Sequence, residues 1–246
     1  MISEFPLFLF TLLGGAAAGA YVFAGLFPRN EARKPWLFPL IALVLLGASG
    51  IALLTHLGRP ERVFGAFANP GAGITLEGYT MIFFGLMALV DLVVCARAGK
   101  PNRAVAIVAA IAGLLLLCAM GYAYGQFIGT PLWNTPATYP FFIVGGLALG
   151  SALVAPFVKD GYANTAMFAC ALIAMLLAAV SCIAVGAHFA ANGASFAPFA
   201  AGAVACALAA GAAAYARFKK ASWATWTALA LIVVGMAIAR YAFYCI

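Results

Sequence analysis

Charge is what this chain has least of. Only 8% of its 246 residues are charged, histidine occurs twice, and six acidic residues stand against thirteen basic ones. Two thirds of the chain (67%) is apolar and the mean hydropathy is +1.10. A soluble domain holds about 45–50% apolar residues, and a fold of this length has no interior large enough for the excess. The solvent is therefore lipid. Strand-like alternation is also missing, which argues against an outer-membrane barrel. In hydrocarbon the backbone must satisfy its own hydrogen bonds, and that leaves helices.

Grouped metal ligands are missing as well. The six cysteines, at 95, 118, 170, 182, 206 and 245, form no C-x-x-C pair. Iron–sulfur ligation needs grouped thiolates and structural zinc needs close Cys/His pairs. The cysteines read as small buried side chains. Nor is there a basic n-region: MISEF carries Glu4 and no basic side chain, so a cleavable signal peptide is not expected. The closing FYCI does not place its cysteine for prenylation.

What is present is a series of apolar runs. Eight are expected as helices, at about 5–27, 36–57, 75–96, 103–125, 138–158, 163–187, 196–217 and 222–243. Each reaches the ~20 residues needed to cross about 30 Å of hydrocarbon. The pI near 9.3 reflects topology rather than nucleic-acid binding. Ten of the thirteen basic residues fall in alternate links, among them Arg29, Arg33 and Lys34, then Arg97, Lys100 and Arg103, then Arg217, Lys219 and Lys220. Short links rich in Lys and Arg face the cytoplasm. The expected fold is a single all-α integral membrane domain, 1–246, of eight transmembrane helices in two four-helix bundles. Both termini are expected outside, in a bacterial inner membrane.

The longer links, 58–74 and 126–137, fall on the outer side, which makes that face the candidate for docking and chemistry. Gly15 and Gly19, four apart in GGAAAGA, suit close helix packing or, less simply, the approach of a flat ligand. Trp36, Trp133, Trp223 and Trp226 fall near predicted helix ends, where an aromatic belt accounts for them.

The polar residues concentrate in THLGRPERVF, residues 55–64. His56 closes the second run. Gly58 is a natural C-cap, and Pro60 disfavours helix at Arg59 while opening a short interfacial helix. Glu77 begins the third run on the same side, and Arg240 lies about one turn inside the outer end of the eighth. These three groups are expected at similar depth, and ionisable side chains within spans read first as functional. Plainer readings stand beside this one. His56 and Arg59 can snorkel to water, Glu77 can be a counter-ion for Arg240, Asp91 reads as an interfacial or packing residue, and His188 as a helix-end residue.

Quinol oxidation suits such a set. A quinol gives up two electrons and two protons. Histidine and a part-buried glutamate are proton acceptors near neutral pH, and an arginine stabilises developing negative charge. With no grouped iron–sulfur ligands and no obvious flavin site in the chain, a partner must take the electrons. Two other readings remain. One is a cytochrome b-type anchor with haem between His56 and His188. The other is an inert structural anchor or transporter, although transporters concentrate polar groups near the midplane.

The sequence resembles the membrane anchor subunits of dimethyl sulfoxide reductase-type molybdoenzymes. The resemblance is carried by His56-Leu57-Gly58-Arg59-Pro60 with Arg62 and Phe64, by Ile74-Thr75-Leu76-Glu77, by Pro131-Leu132-Trp133-Asn134-Thr135-Pro136, and by Arg240 with Phe243 and Tyr244. It implies a subunit that anchors two partners on the outer side, a four-cluster iron–sulfur subunit and a molybdopterin catalytic subunit. It implies oxidation of menaquinol to menaquinone, with no haem, iron–sulfur cluster or molybdenum in this chain. His56 and Glu77 match the family's quinol-site residues. Arg59, Arg62, Trp133 and Arg240 are candidates for quinol binding or partner docking.

Overall fold

The computed structural model describes residues 4–29, 34–56, 65 and 68–245. Arg59, Glu61 and Arg62, with the short helix expected after Pro60, lie outside the described residues.

Among the described residues eight long α-helices follow one another: α1 Phe5–Leu26, α2 Leu37–His56, α3 Gly73–Ala98, α4 Arg103–Gly125, α5 Thr138–Val154, α6 Thr165–Ala191, α7 Ala197–Lys219 and α8 Ser222–Tyr244. A 3-10 turn, Gly161–Ala163, joins α5 to α6. Seven of the eight are long and apolar enough to cross a membrane, and α5, at 17 residues, is shorter. The chain is an all-helical integral membrane protein.

Local chemistry sets the helix ends. The Asn102 side chain accepts hydrogen bonds from the N–H groups of Ala104 and Val105, at 2.9 and 3.2 Å, and opens α4. Asn164 does the same for Ala166 and Met167 at the start of α6. Each cap satisfies donors that the first helical turn leaves unpaired. Gly99, at φ 66°, closes α3 in the left-handed conformation. Two expected boundaries move by four residues. The fifth run ends at Val154 instead of 158, because Pro156 has no N–H to continue the ladder. The sixth runs on past 187 to Ala191, since no breaker intervenes before Gly193, at φ 86°.

α1 is the central post. Its most apolar window is 83% buried, against 22% for α3, so α1 is enclosed on most sides while α3 is mostly lipid-facing. α1 packs on α2, α4, α5 and α8. Around it α2 meets α3 and α3 meets α4, while α5, α6, α7 and α8 each pack on the next and α8 returns to α5. Gly19 makes the closest approach possible. A Cβ there would collide with the carbonyl of Gly146 on α5, and one on Gly150 would land on the backbone of Gly19. The GGAAAGA stretch therefore serves helix packing. Outward-facing Val44, Ile51, Ile82, Leu86, Ile111 and Val180 are exposed, as hydrocarbon permits.

At the Lys/Arg-rich end, Arg29 does more than mark topology. Its side chain is 3% exposed and its NH2 lies 2.8 Å from Oδ1 of the fully buried Asp91. The Tyr21 hydroxyl donates to the other carboxylate oxygen at 3.0 Å. Of the two readings of Asp91, packing holds: it is the buried half of an ion pair. A backbone bridge from Arg29 to Val158 ties the α1–α2 link to the chain beyond α5.

Candidate functional site

The opposite end of the bundle holds a pocket of about 430 Å³. That volume falls within the roughly 300–1,000 Å³ of small-molecule sites. Four helices and one link build it. α2 contributes its last residue, His56, with Leu53. α3 contributes Gly73, Ile74 and, one turn in, Glu77. Tyr124 comes from the end of α4, Leu7 from α1, and Phe127, Thr130 and Trp133 from the link 126–137.

Local packing explains why these residues converge. A Cβ on Gly73 would stand 2.9 Å from that of Ala123, so glycine lets the start of α3 press against the end of α4. Glu77 and Tyr124 are thereby brought to one wall. The Tyr124 ring stacks on Phe142 at 4.8 Å and meets Trp133 edge-on at 5.6 Å. Trp133 donates its indole N–H to the Phe243 carbonyl at 2.8 Å and stacks on the Phe243 ring at 5.5 Å. The Thr138 hydroxyl donates to the Trp133 carbonyl at 2.7 Å. The link is thus pinned to the ends of α5 and α8 and forms a fixed wall.

The polar groups are sparse and mostly acid–base in kind. His56 is partly exposed, with Nδ1 3.3 Å from Oε2 of Glu4. Glu77 is 3% exposed, and its Oε1 makes no hydrogen bond among the described residues. The buried Tyr124 hydroxyl also finds no partner of ordinary geometry there. Such atoms are uncommon in native structures and ask for an explanation. Here both belong to residues that line the pocket, and a ligand with hydroxyl or carbonyl groups would satisfy them. Leu7, Leu53, Ile74, Phe127 and Trp133 supply apolar walls.

The structure thus brings His56, Glu77 and Trp133 to one pocket. It corrects two readings. Trp133 is 5% exposed, so it is no belt residue and offers no docking surface, whereas Trp223 and Trp226 are exposed at 61% and 55%. Arg240 is absent from the pocket lining and fully buried. Its guanidinium donates to the Thr11 and Phe142 carbonyls and lies 5.2 Å from the Phe142 ring centre. It therefore reaches neither a pocket ligand nor a partner, and it makes no ion pair with Glu77 among the described residues. Depth along a helix places a residue near a rim; rotation about the axis turned Arg240 toward α1 and α5. Arg59 and Arg62 lie outside the described residues.

Two pocket residues were not singled out from sequence. Glu4 read only as an argument against a signal peptide, although a carboxylate ahead of an apolar run is itself a signal. Tyr124 had none, being one aromatic among many. The two imidazoles are not brought together: His188 does not line the pocket, and its Nε2 lies 3.4 Å from the Pro131 carbonyl.

An all-helical membrane protein with an acid–base pocket at one rim is the class that fold and site define. The protein belongs to the DMSO reductase anchor subunit (DmsC) family, whose model matches residues 1–246. It is 31% identical over 168 residues to the C subunit of anaerobic dimethyl sulfoxide reductase from Haemophilus influenzae, a match covering 62% of this sequence and 59% of that protein. It is 27% identical over 201 residues to the corresponding C subunit from Escherichia coli, covering 76% and 70%. To the YnfH subunit of anaerobic dimethyl sulfoxide reductase from Escherichia coli it is 29% identical over 195 residues, covering 74% and 66%. The matches thus span between 59% and 70% of the length of these relatives.

Proposed function

We propose that this protein is the membrane anchor and quinol-oxidising subunit of a molybdopterin oxidoreductase complex in anaerobic respiration. The observation that carries the reading is the meeting of His56 and Glu77 on one apolar-walled pocket at the membrane rim. Family membership supports the anchor role.

Menaquinol enters from the lipid and lays its ring between the apolar walls. One hydroxyl donates to Glu77, whose Oε1 is otherwise unsatisfied, and the other donates to His56. Glu4 sits at Nδ1 of His56. That leaves Nε2 to take the proton, with the carboxylate stabilising the charged ring, as a carboxylate partner does for a catalytic histidine. Tyr124 offers a hydroxyl to the ring oxygen beside Glu77. Quinol oxidation releases two protons and two electrons. The protons leave through the open rim, and the electrons pass to a four-cluster iron–sulfur subunit and on to a molybdopterin catalytic subunit. This protein carries no metal redox centre of its own.

The distribution of Lys and Arg favours the outer side of a bacterial inner membrane for the pocket and both termini. The helix contacts suit eight spans in two four-helix rings, α1–α4 and α5–α8, that meet where α1 packs on α5. Protons and electrons then leave on the same side, and the reaction moves no net charge across the membrane.

The test is oxidation of a quinol analogue by the intact complex carrying His56→Ala or Glu77→Gln. Loss of activity in both, with the partners still bound, is the expected result. Unchanged activity and analogue affinity in both variants would remove this site and leave an inert anchor.

A further inference from the structure

The Lys/Arg-rich end carries two adjoining concavities that the quinol reading does not use. The first is a small pocket of about 180 Å³, lined by Pro28, Arg29, Pro101, Asn102 and Arg103 among others. The second is a groove of about 350 Å³ along the lipid-facing seam of α1 and α4, walled by Leu26, Ile107, Ile111 and Leu114. Arg103 belongs to both. Its guanidinium donates to the Leu26 carbonyl at 3.2 Å, which fixes the cation where the two meet.

Below the groove α1 and α4 close tightly twice, at Gly25 against Ala110 and at Gly113 against the Ala18 backbone, while their outer faces stay apart. A Cβ on Gly25 would stand 2.5 Å from that of Ala110, so the backbones close there. Leu26, Ile107, Ile111 and Leu114 are all exposed toward the bilayer, between 41% and 57%.

Behind the small pocket lies a buried cation with unsatisfied donors. The Arg29 side chain is 3% exposed and one nitrogen binds Asp91. Nε and NH1 are buried and have no hydrogen-bond partner among the described residues. Asp91 neutralises one guanidinium, and Arg103 brings a second positive charge with no carboxylate within ion-pair distance among the described residues. A cationic cup above an apolar channel has the shape of a phospholipid. We propose that this seam binds one anionic glycerophospholipid, its phosphate on Arg103 in the field of the buried Arg29 and an acyl tail in the groove. A zwitterionic lipid would bring its own cation against Arg103, and a free phosphate would leave the groove uncovered.

The test uses the full-length protein extracted from vesicles of equimolar phosphatidylglycerol and phosphatidylcholine, with retained lipid counted by native mass spectrometry. Wild-type protein should retain phosphatidylglycerol in preference. Arg103→Gln should lower that preference about fivefold, the effect of roughly one interfacial cation, and Arg103→Lys should keep most of it. Leu114→Trp fills the groove and leaves both cations, so it should cut retention of phosphatidylglycerol. Glycerol phosphate should not displace the bound lipid. Equal retention of both lipids by wild type, an unchanged preference in Arg103→Gln, undiminished retention in Leu114→Trp, or displacement by glycerol phosphate would each overturn the proposal. Arg29 is left intact throughout, since its ion pair with Asp91 would fail along with the site.

Discussion

Replacing Glu77 by leucine should strengthen the fold and disable the pocket at once. The side chain is 3% exposed, and its Oε1 has no hydrogen-bond partner among the described residues. A buried polar atom left unpaired costs about 1–3 kcal/mol. Leucine is close to glutamate in size and brings no polar atom, so the quinol-free variant should be more stable by about 1–3 kcal/mol. The measurement is an equilibrium unfolding midpoint in mixed micelles, followed by circular dichroism. The same substitution deletes the acceptor for one quinol hydroxyl. A charge-assisted hydrogen bond is worth about 1.5–3 kcal/mol, so binding of a quinone-site analogue should weaken about ten- to hundredfold. Calorimetric titration of wild type and variant reads that loss. Opposite signs are the signature of a residue held in place for a ligand. A variant that unfolds more easily would make Glu77 a structural residue. One that binds the analogue at full strength would place the quinol elsewhere.

At the other end, Asp91→Ala strands the buried Arg29 guanidinium and should destabilise the protein by about 3–5 kcal/mol. The double variant Arg29→Met, Asp91→Leu should regain most of that in the same unfolding assay, because it strands no charge. On the central seam, Gly150→Ala puts a methyl onto the Gly19 backbone and should cost at least about 1–3 kcal/mol through overpacking, read as a lower unfolding midpoint.

How far the sequence carries the structure depends on which coordinate is asked for. Position along the membrane normal is legible. Apolar runs and their breakers locate the helices, with errors only where Pro156 or the absence of a breaker moved an end. The same coordinate puts His56 and Glu77 at one rim, and consecutive helices pack side by side often enough to bring them together. Rotation about each helix axis is not legible, because lipid is as apolar as the core and a buried face looks like a lipid-facing one. That is why Arg240, at the expected depth, faces α1 and α5 instead of the pocket, and why Tyr124 could not be told from its aromatic neighbours. Glu4 could have been found, as a carboxylate preceding a span whose end lies beside that of the His56 helix. Trp133 was misread for a different reason. Its place near a helix end suits an interfacial anchor, but the 126–137 link folds back over the bundle and buries it.

The enclosure of α1 bears on how the protein is assembled. α1 leaves the ribosome well before α5, yet its glycine face fits α5 at backbone distance. Until α5 arrives, that face must wait against lipid or against a chaperoning helix of the insertion machinery. Its mean hydropathy, 1.9 against 2.7 for α6, makes it one of the less comfortable spans to leave waiting. A ribosome stalled before α5 should therefore leave α1 within reach of crosslinkers on the insertase, and synthesis of α5 should release it. Biogenesis of this protein then has a checkpoint at the midpoint of translation, set by two glycines.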